Sequence, residues 1–298
     1  MHKSGFVNII GRPNVGKSTL MNALVGERMS IITNKPQTTR HRIIGILSAE
    51  EYQIVFSDTP GIIRDPSYKM QEAMNRYVYT TFDDSDVMLF VTEAAEHYDD
   101  DDPVIGLLKK VKVPLFLIIN KIDKTKPEKI VELIKIWNER IPFKETIPIS
   151  ALNKSNTEKV FELVLENIEE GPAYYPKDQL TDKSERFFVS EIIREKILLH
   201  YQQEIPYSCE VVVESFNETT TKNGDPLVRI AATIFVARKT QKMIIIGKNG
   251  SAIKKVGTDA RKDIETFIES KVFLELHVKV KDNWRNDERM LKHFGYNQ

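Results

Sequence analysis

The stretch Gly11-Arg12-Pro13-Asn14-Val15-Gly16-Lys17-Ser18 decides the fold of the first half of this 298-residue chain. It has the pattern G-x-x-x-x-G-K-[ST], follows the apolar run at 6–10 and leads through Thr19 into a helix-like segment. A strand, a glycine turn and a helix start aim backbone N–H groups and a helix dipole at one point, which suits phosphate. Lys17 would reach the terminal phosphates of a nucleotide, and the Ser18 hydroxyl would bind Mg²⁺. This context favours a nucleotide site over an ordinary glycine-containing loop.

Composition and charge are those of a globular protein. The chain is 41% hydrophobic and 29% charged, with a net charge of zero, and its length suits about two domains. The single cysteine, Cys209, excludes an internal disulfide, and no H-E-x-x-H motif indicates zinc. We find no apolar run near ~18 residues and no room for a signal peptide before the first strand, so we expect a cytoplasmic protein.

Short apolar runs at 6–10, 87–91 and 115–119 alternate with helix-like segments. Continuous apolarity indicates strands that are buried on both faces. We therefore predict an α/β domain with a mainly parallel sheet and helices on both faces. Residues 43–47 and 53–56 add two strands that should form a hairpin.

The most acidic run of the chain is Asp99-Asp100-Asp101-Asp102. It lacks the spaced ligands and the glycine of a calcium loop. We interpret it as a solvated turn without a function.

Three further loops follow predicted strands: Asp58-Thr59-Pro60-Gly61, Asn120-Lys121-Ile122-Asp123 and Ser150-Ala151-Leu152. The carboxylate of Asp58 can hold Mg²⁺ through water, and the Gly61 N–H can reach a γ-phosphate. Guanine offers two neighbouring donors that one carboxylate accepts, and adenine offers neither, so Asp123 would select guanine. Asn120 would bond the base and brace the loop, the stem of Lys121 would lie along the ring, and the third loop would offer a backbone N–H to the guanine O6.

These motifs, in this order, resemble the translation-factor-like (TRAFAC) P-loop GTPases. With Lys35-Pro36-Gln37-Thr38-Thr39-Arg40-His41-Arg42, and with the segments 190–196 and 245–250, the chain is identified as a member of their KH-domain-containing Era family. The resemblance covers nearly the whole chain. It implies GTP and GDP as ligands, Mg²⁺ as cofactor and GTP hydrolysis as the activity.

The resemblance also implies roles for individual residues. Thr39 would close on Mg²⁺ together with Ser18 and Asp58, with Thr38 as the alternative. Some GTPases orient the attacking water with a glutamine where this chain has Ile62, so we expect slow intrinsic hydrolysis. In relatives the residue that matches Asn14 helps to hold K⁺; the alternative is that Asn14 only suits the tight turn. The predicted catalytic set is Lys17, Thr39, Gly61 and Asn14.

A break at Gly171-Pro172 indicates a linker, which we place at residues 171–184 between a GTP-binding domain at 1–170 and a second domain at 185–298. The second domain has the predicted order helix, strand, strand, helix, helix, strand, followed by a short C-terminal helix. Two helices joined by Gly247-Lys248-Asn249-Gly250 resemble a type II KH domain.

Positive charge is concentrated around this loop, because residues 238–262 contain eight Lys/Arg and one acid, Asp259. The loop would grip the phosphates of single-stranded RNA, which would be read along a groove lined by an apolar helix face and the neighbouring strand. The alternative is a basic, solvated helix that only packs. The apolar face comprises Ile253, Val256, Ala260, Ile264 and Phe267. The predicted RNA-binding residues are Gly247, Lys248, Asn249, Gly250, Ile253, Lys254, Lys255 and Arg261.

The resemblance narrows the RNA to the 3′ end of 16S ribosomal RNA and implies a role in biogenesis of the small (30S) ribosomal subunit. We expect a cytoplasmic monomer without DNA as a partner. Relatives are described at membranes, but we find no amphipathic anchor, and weak peripheral association with the inner face of the cell membrane stays open. The rival hypotheses are a GTP-sensing RNA-binding module with little hydrolysis and a metabolic ATPase or kinase, against which Asp123 argues.

Overall fold

The computed structural model describes residues 2–296. They form two compact units, one made of residues up to 67 together with 71–182, the other of residues 68–70 together with those from 183 onward. None of the helices within 2–296 combines the length and the hydropathy that a bilayer crossing needs.

The first unit is built on a six-stranded sheet. Its elements are β1 (Lys3–Ile10), α1 (Lys17–Val25), β2 (Ile43–Ser48), β3 (Tyr52–Asp58), α2 (Lys69–Thr80), β4 (Val87–Glu93), α3 (Pro103–Leu108), β5 (Leu115–Asn120), α4 (Pro127–Arg140), β6 (Glu145–Pro148) and α5 (Thr157–Asn167). The strand order is β2-β3-β1-β4-β5-β6. Only the β2–β3 pair is antiparallel, which confirms both the mainly parallel sheet and the hairpin.

The apolar strands are buried on both faces, as their continuous hydrophobicity predicts. Val7, Ile9 and Ile10 of β1 are fully buried, and so are most residues of β4 and β5. Because the parallel strands end at the same edge of the sheet, the loops that follow β1, β3 and β5 meet there.

The acidic run is more than a solvated turn. Asp102 is buried and its carboxylate caps α3 by accepting a hydrogen bond from Val104 N at 2.9 Å, whereas Asp99, Asp100 and Asp101 are exposed. The prediction was wrong for Asp102 because its partners lie outside the run.

Of residues 171–184, which we predicted as a linker, residues 171–182 belong to the first unit. The amide of the fully buried Gln53 accepts hydrogen bonds from Tyr174 N (2.7 Å) and Tyr175 N (2.9 Å) and donates to Tyr175 O (2.9 Å). Further along, Leu180 O accepts from Ile46 N at 2.8 Å. The segment therefore runs along the hairpin and leaves it at the edge strand β2.

The second unit comprises α6 (Glu185–His200), β7 (Cys209–Thr220), β8 (Pro226–Val236), α7 (Lys239–Ile246), α8 (Ser251–Ile268), β9 (Lys271–Val280) and α9 (Glu288–His293). Its sheet has the order β7-β8-β9, with β7–β8 antiparallel and β8–β9 parallel. This is the predicted type II KH order of elements. The core lies between one face of the sheet and the helices α6 and α8.

Candidate functional site

The first glycine-rich loop ends where α1 begins. Gly16 has a φ of 95°, and a Cβ at this position would lie 2.2 Å from Asn120 Nδ2, so only glycine allows this approach. The ammonium of Lys17 is buried and donates to Gly11 O (3.1 Å) and Arg12 O (2.8 Å). Burial lowers the pKa of Lys17 to about 8, and the negative charges of Asp58 and Glu96 limit the decrease.

Three oxygen-bearing side chains converge beside the loop. Ser18 Oγ lies 2.6 Å from Asp58 Oδ2 and 2.9 Å from Thr39 Oγ1, which is itself 3.3 Å from Asp58 Oδ2. The other oxygen of this carboxylate, Oδ1, is buried and accepts no hydrogen bond from the described residues. Burial raises the pKa of Asp58, and the charge of Lys17 opposes the increase. Hydroxyl and carboxylate oxygens are the ligands that Mg²⁺ prefers, so this group fits that ion.

The two candidate threonines have different surroundings. Thr39 belongs to the group with Ser18 and Asp58, whereas Thr38 Oγ1 bonds Thr33 Oγ1 and donates to Lys35 O, both at 2.7 Å. The geometry thus favours Thr39 over Thr38 as a metal ligand.

Asn120 joins three of the predicted loops. Its Nδ2 donates to Val15 O at 2.9 Å, and its Oδ1 accepts from Lys121 N (2.8 Å) and Ala151 N (3.0 Å). Asp123 Oδ1 accepts from Ser150 Oγ at 2.6 Å, which fixes the carboxylate against the third loop.

These loops surround a cavity of about 430 Å³. The predicted site residues that line it are Pro13, Asn14, Gly16, Lys17, Ser18, Thr19, Thr39, Gly61, Asn120, Lys121, Asp123 and Leu152. The predicted residues outside the lining are Gly11, Arg12, Val15, Asp58, Thr59, Pro60, Ile62, Ile122, Ser150 and Ala151. Some residues of the second set contact the lining residues, as Asp58 does by accepting a hydrogen bond from Ser18.

Arg12 and Ile62 have side chains that point elsewhere. The Arg12 guanidinium pairs with Glu96 (3.0 Å) and Asp102 (2.5 Å) and lies 4.0 Å above the centre of the Tyr98 ring. Ile62 is buried in the apolar core between the sheet and its helices. Neither residue lines the cavity, because the Arg12 guanidinium is held by its two acidic partners and Ile62 packs in the core.

Sequence reasoning missed several residues of the wall. They are Ile31, Ile32, Thr33, Asn34, Gln37, Glu93 and Lys124. The first five could have been found because they belong to the long loop between α1 and Thr39. Glu93 could have been found because it lies at the carboxyl end of a parallel strand.

In the second unit, the loop between α7 and α8 forms a tight turn. Gly247 has a φ of 72°, and a Cβ there would lie 2.6 Å from Ala252 Cβ. Lys248 and Asn249 are exposed at the tip. The turn therefore presents its backbone and one lysine to solvent.

The predicted apolar face of α8 is mostly core. Val256, Ala260 and Ile264 are fully buried against the sheet and cannot line a groove, while Ile253 is half-buried. Met243 and Ile244 of α7 are instead exposed, by 72% and 50%. Lys254, Lys255 and Arg261 are exposed on the outer side of α8, as predicted.

Comparisons with known proteins agree with this description. Residues 6–121 match the model of the family described as "50S ribosome-binding GTPase", and residues 204–285 match the KH domain model. GTPase Era of Syntrophus aciditrophicus (strain SB) is 48% identical over 299 residues, covering 100% of this chain and 96% of that protein.

Two solved structures are similar over nearly the whole chain. One is Era in complex with MgGDPNP and nucleotides 1506–1542 of 16S ribosomal RNA, with a TM-score of 0.94, 35% identity and 100% of both chains covered. The other is a variant of Aquifex aeolicus Era bound to GDP and AlF₄⁻, with a TM-score of 0.93, 35% identity, and 99% of this chain and 100% of that chain covered. On its sequence, its two domains and its fold, this chain belongs to the Era family of GTPases.

Proposed function

We propose that the cavity of the first unit binds GTP and GDP and that the loop at 247–250 binds the single-stranded 3′ end of 16S ribosomal RNA. The observation that carries the nucleotide proposal is the meeting of three loops on Asn120, beside the Asp123 carboxylate. Asp123 accepts the N1–H and the 2-amino group of guanine, Asn120 bonds the base, and the loop at 150–152 offers an N–H to O6. Lys17 neutralises the terminal phosphates and the Gly61 N–H bonds the γ-phosphate.

The residues of the chain fit one Mg²⁺ ion, held by Ser18 and Thr39 directly and by Asp58 through water. When bound, Mg²⁺ neutralises charge that develops on the β- and γ-phosphate oxygens. The loop that carries Thr39 closes with the triphosphate and opens after hydrolysis, which makes the protein a switch.

Asp123→Asn tests the assignment of the base. Xanthine has a carbonyl where guanine has its 2-amino group, so an asparagine amide donates where the carboxylate accepted. We expect GTP affinity to fall at least about 100-fold and xanthosine triphosphate to become the preferred ligand. The exposed Asp101→Asn is the matched control. A variant that still prefers GTP would refute the assignment.

We further propose that Asn14 helps to hold K⁺ at the phosphates. Asn14 lines the cavity, and its Nδ2 donates to Asn34 O in the loop that leads to Thr39, at 3.0 Å. GTP hydrolysis should be faster in potassium than in sodium buffer, and Asn14→Ala should remove the difference. Equal rates for the unmodified protein in the two buffers would contradict the proposal and leave Asn14 as a residue of the turn, where its φ of 67° is in keeping with asparagine.

A second candidate is a GTP sensor with little hydrolysis in the cell. It is favoured by Ile62, whose buried side chain leaves no group from this position to orient water at the γ-phosphate. Turnover measured with and without 30S subunits separates the two: acceleration by the subunit identifies the hydrolytic switch.

The RNA proposal is supported by the exposed Lys248, Lys254 and Lys255 around the glycine turn. Because Val256, Ala260 and Ile264 are buried, the bases would contact α7 and Ile253 and not the rest of the apolar face of α8. We propose that the protein acts on the 30S subunit during its biogenesis, as a cytoplasmic monomer. Weak peripheral binding to the inner face of the membrane is the alternative location.

A further inference from the structure

Glu93 is the last residue of β4 and pairs in register with Asn120 of β5. Its side chain lines the cavity, and its Oε1 lies 2.8 Å from the Lys121 ammonium. Only 17% of the Glu93 side chain and 28% of the Lys121 side chain are exposed. The pair is therefore better shielded than an ordinary surface ion pair.

The same ammonium reaches the first glycine-rich loop, because Lys121 Nζ donates to Asn14 O at 2.6 Å. Both residues have a left-handed backbone, with a φ of 62° at Lys121 and 67° at Asn14. The head of Lys121 is thus held between the end of β4 and the first glycine-rich loop.

A lysine side chain has four rotatable bonds, and a hydrogen bond to one carbonyl does not fix them. A carboxylate adds a charge-assisted hydrogen bond from a second direction. We propose that Glu93 is a positioning residue for nucleotide binding: it holds the Lys121 ammonium so that the stem forms a fixed wall for the flat face of the base. The inference rests on the proposed guanine site and adds to it a residue that does not touch the base edge.

This role makes a distinctive prediction. A side chain that packs against the flat face of the ring stabilises every purine to the same extent, whereas Asp123 distinguishes purines by accepting a hydrogen bond from the 2-amino group. Loss of Glu93 should weaken GDP and inosine diphosphate by the same factor, because inosine differs from guanosine only in lacking that amino group. A change at Asp123 should instead alter the ratio of the two affinities.

The experiment measures GDP and inosine diphosphate affinities of the full chain carrying Glu93→Gln, Lys121→Met or both. Glutamine keeps the shape and removes the charge, and we expect each single variant to bind both nucleotides about tenfold more weakly. The two residues act as a unit, so Glu93→Gln should change affinity less than about twofold in the Lys121→Met background. Glu132→Gln removes a carboxylate from an exposed pair on α4 and should change neither affinity.

Several results would overturn the inference: additive losses in the double variant, unequal losses for the two nucleotides, or a loss accompanied by a lower melting temperature of the nucleotide-free protein. If Glu93→Gln does not fold, Glu93→Asp takes its place, because the shorter side chain withdraws the carboxylate from Lys121 Nζ; the same equal losses for the two nucleotides and the same small effect in the Lys121→Met background are then expected. Failure of the proposed function is distinguishable, since the unmodified protein would then bind neither nucleotide.

Discussion

Lys17 carries a positive charge that folding removes from water. Its pKa is about 8 in the folded protein, against an ordinary value of 10.5, because burial disfavours the charged form. Between these two pH values the unfolded chain binds more protons than the folded one. The free energy of unfolding should therefore rise from pH 8 to 10.5, by up to about 3 kcal/mol from this residue, while below pH 8 the contribution is constant.

Urea unfolding of the nucleotide-free protein at pH 7.5 and pH 10 measures this effect against Lys17→Met. The methionine variant should gain stability relative to the unmodified protein at pH 7.5 and lose most of that advantage at pH 10, since other titrating groups cancel in the comparison. It should also lose nucleotide affinity. Lys112→Met removes an exposed lysine, and its free energy of unfolding should change between pH 7.5 and pH 10 as that of the unmodified protein does. If the free energy of unfolding of Lys17→Met changed with pH as that of the unmodified protein does, burial would not lower the pKa of the Lys17 ammonium.

At the scale of elements, the hairpin of β2 and β3 depends on the segment at 174–181. One side chain, Gln53, makes three hydrogen bonds to it and a fourth to Ser48 Oγ at 3.0 Å. Gln53→Ala removes the partner of three partly buried backbone groups of the segment and should destabilise the first unit by roughly 3 kcal/mol. Trypsin cleavage after the exposed Lys177 should become faster in the folded protein.

Gln179→Ala is the matched control, because within the described part of the chain that side-chain amide donates to Thr181 O of its own segment and to no other group. It should leave both the stability and the cleavage rate unchanged. An equal effect of the two substitutions would mean that the segment is held by its own turns and not by Gln53.

Some elements of this fold could be predicted from the sequence and others could not. The strands and the loops at Lys17, Asp58 and Asn120 were predictable, since each is marked by a local apolar run followed by a motif. The burial of Asp102 and the docking of residues 171–182 were not, because their partners, such as Arg12 and Gln53, are distant in sequence. The apolar positions of α8 were identified correctly, but their periodicity does not say whether core or ligand covers them.

At the scale of the molecule, a net charge of zero conceals an uneven distribution. Residues 177–298 carry 21 basic and 18 acidic side chains, whereas residues 1–176 carry 22 and 25. Each unit has its own core and its own charged partner in our proposal, a nucleotide for the first and RNA for the second. Binding of a polyanion should therefore follow the local field around 238–262 and not the total charge.

Two double variants with the same net charge test this directly. Lys254→Glu with Lys255→Glu changes the exposed face of α8, and Lys109→Glu with Lys110→Glu changes an exposed site of the first unit by the same amount. We expect the first pair to weaken binding of a single strand matching the 16S 3′ end by at least about tenfold. The salt dependence should also become shallower, with the log–log slope changing by roughly 0.7 for each phosphate that the protein no longer neutralises.

The second pair should leave both quantities unchanged, because these two lysines belong to the first unit and not to the loop and helix that we assign to RNA. GDP affinity measured on all variants shows that the first unit stays intact. If both pairs weakened RNA binding equally, total charge would govern the interaction and α8 would be a solvated helix that only packs. Weaker binding without a change of slope would mean that these lysines shape the loop and do not neutralise phosphate.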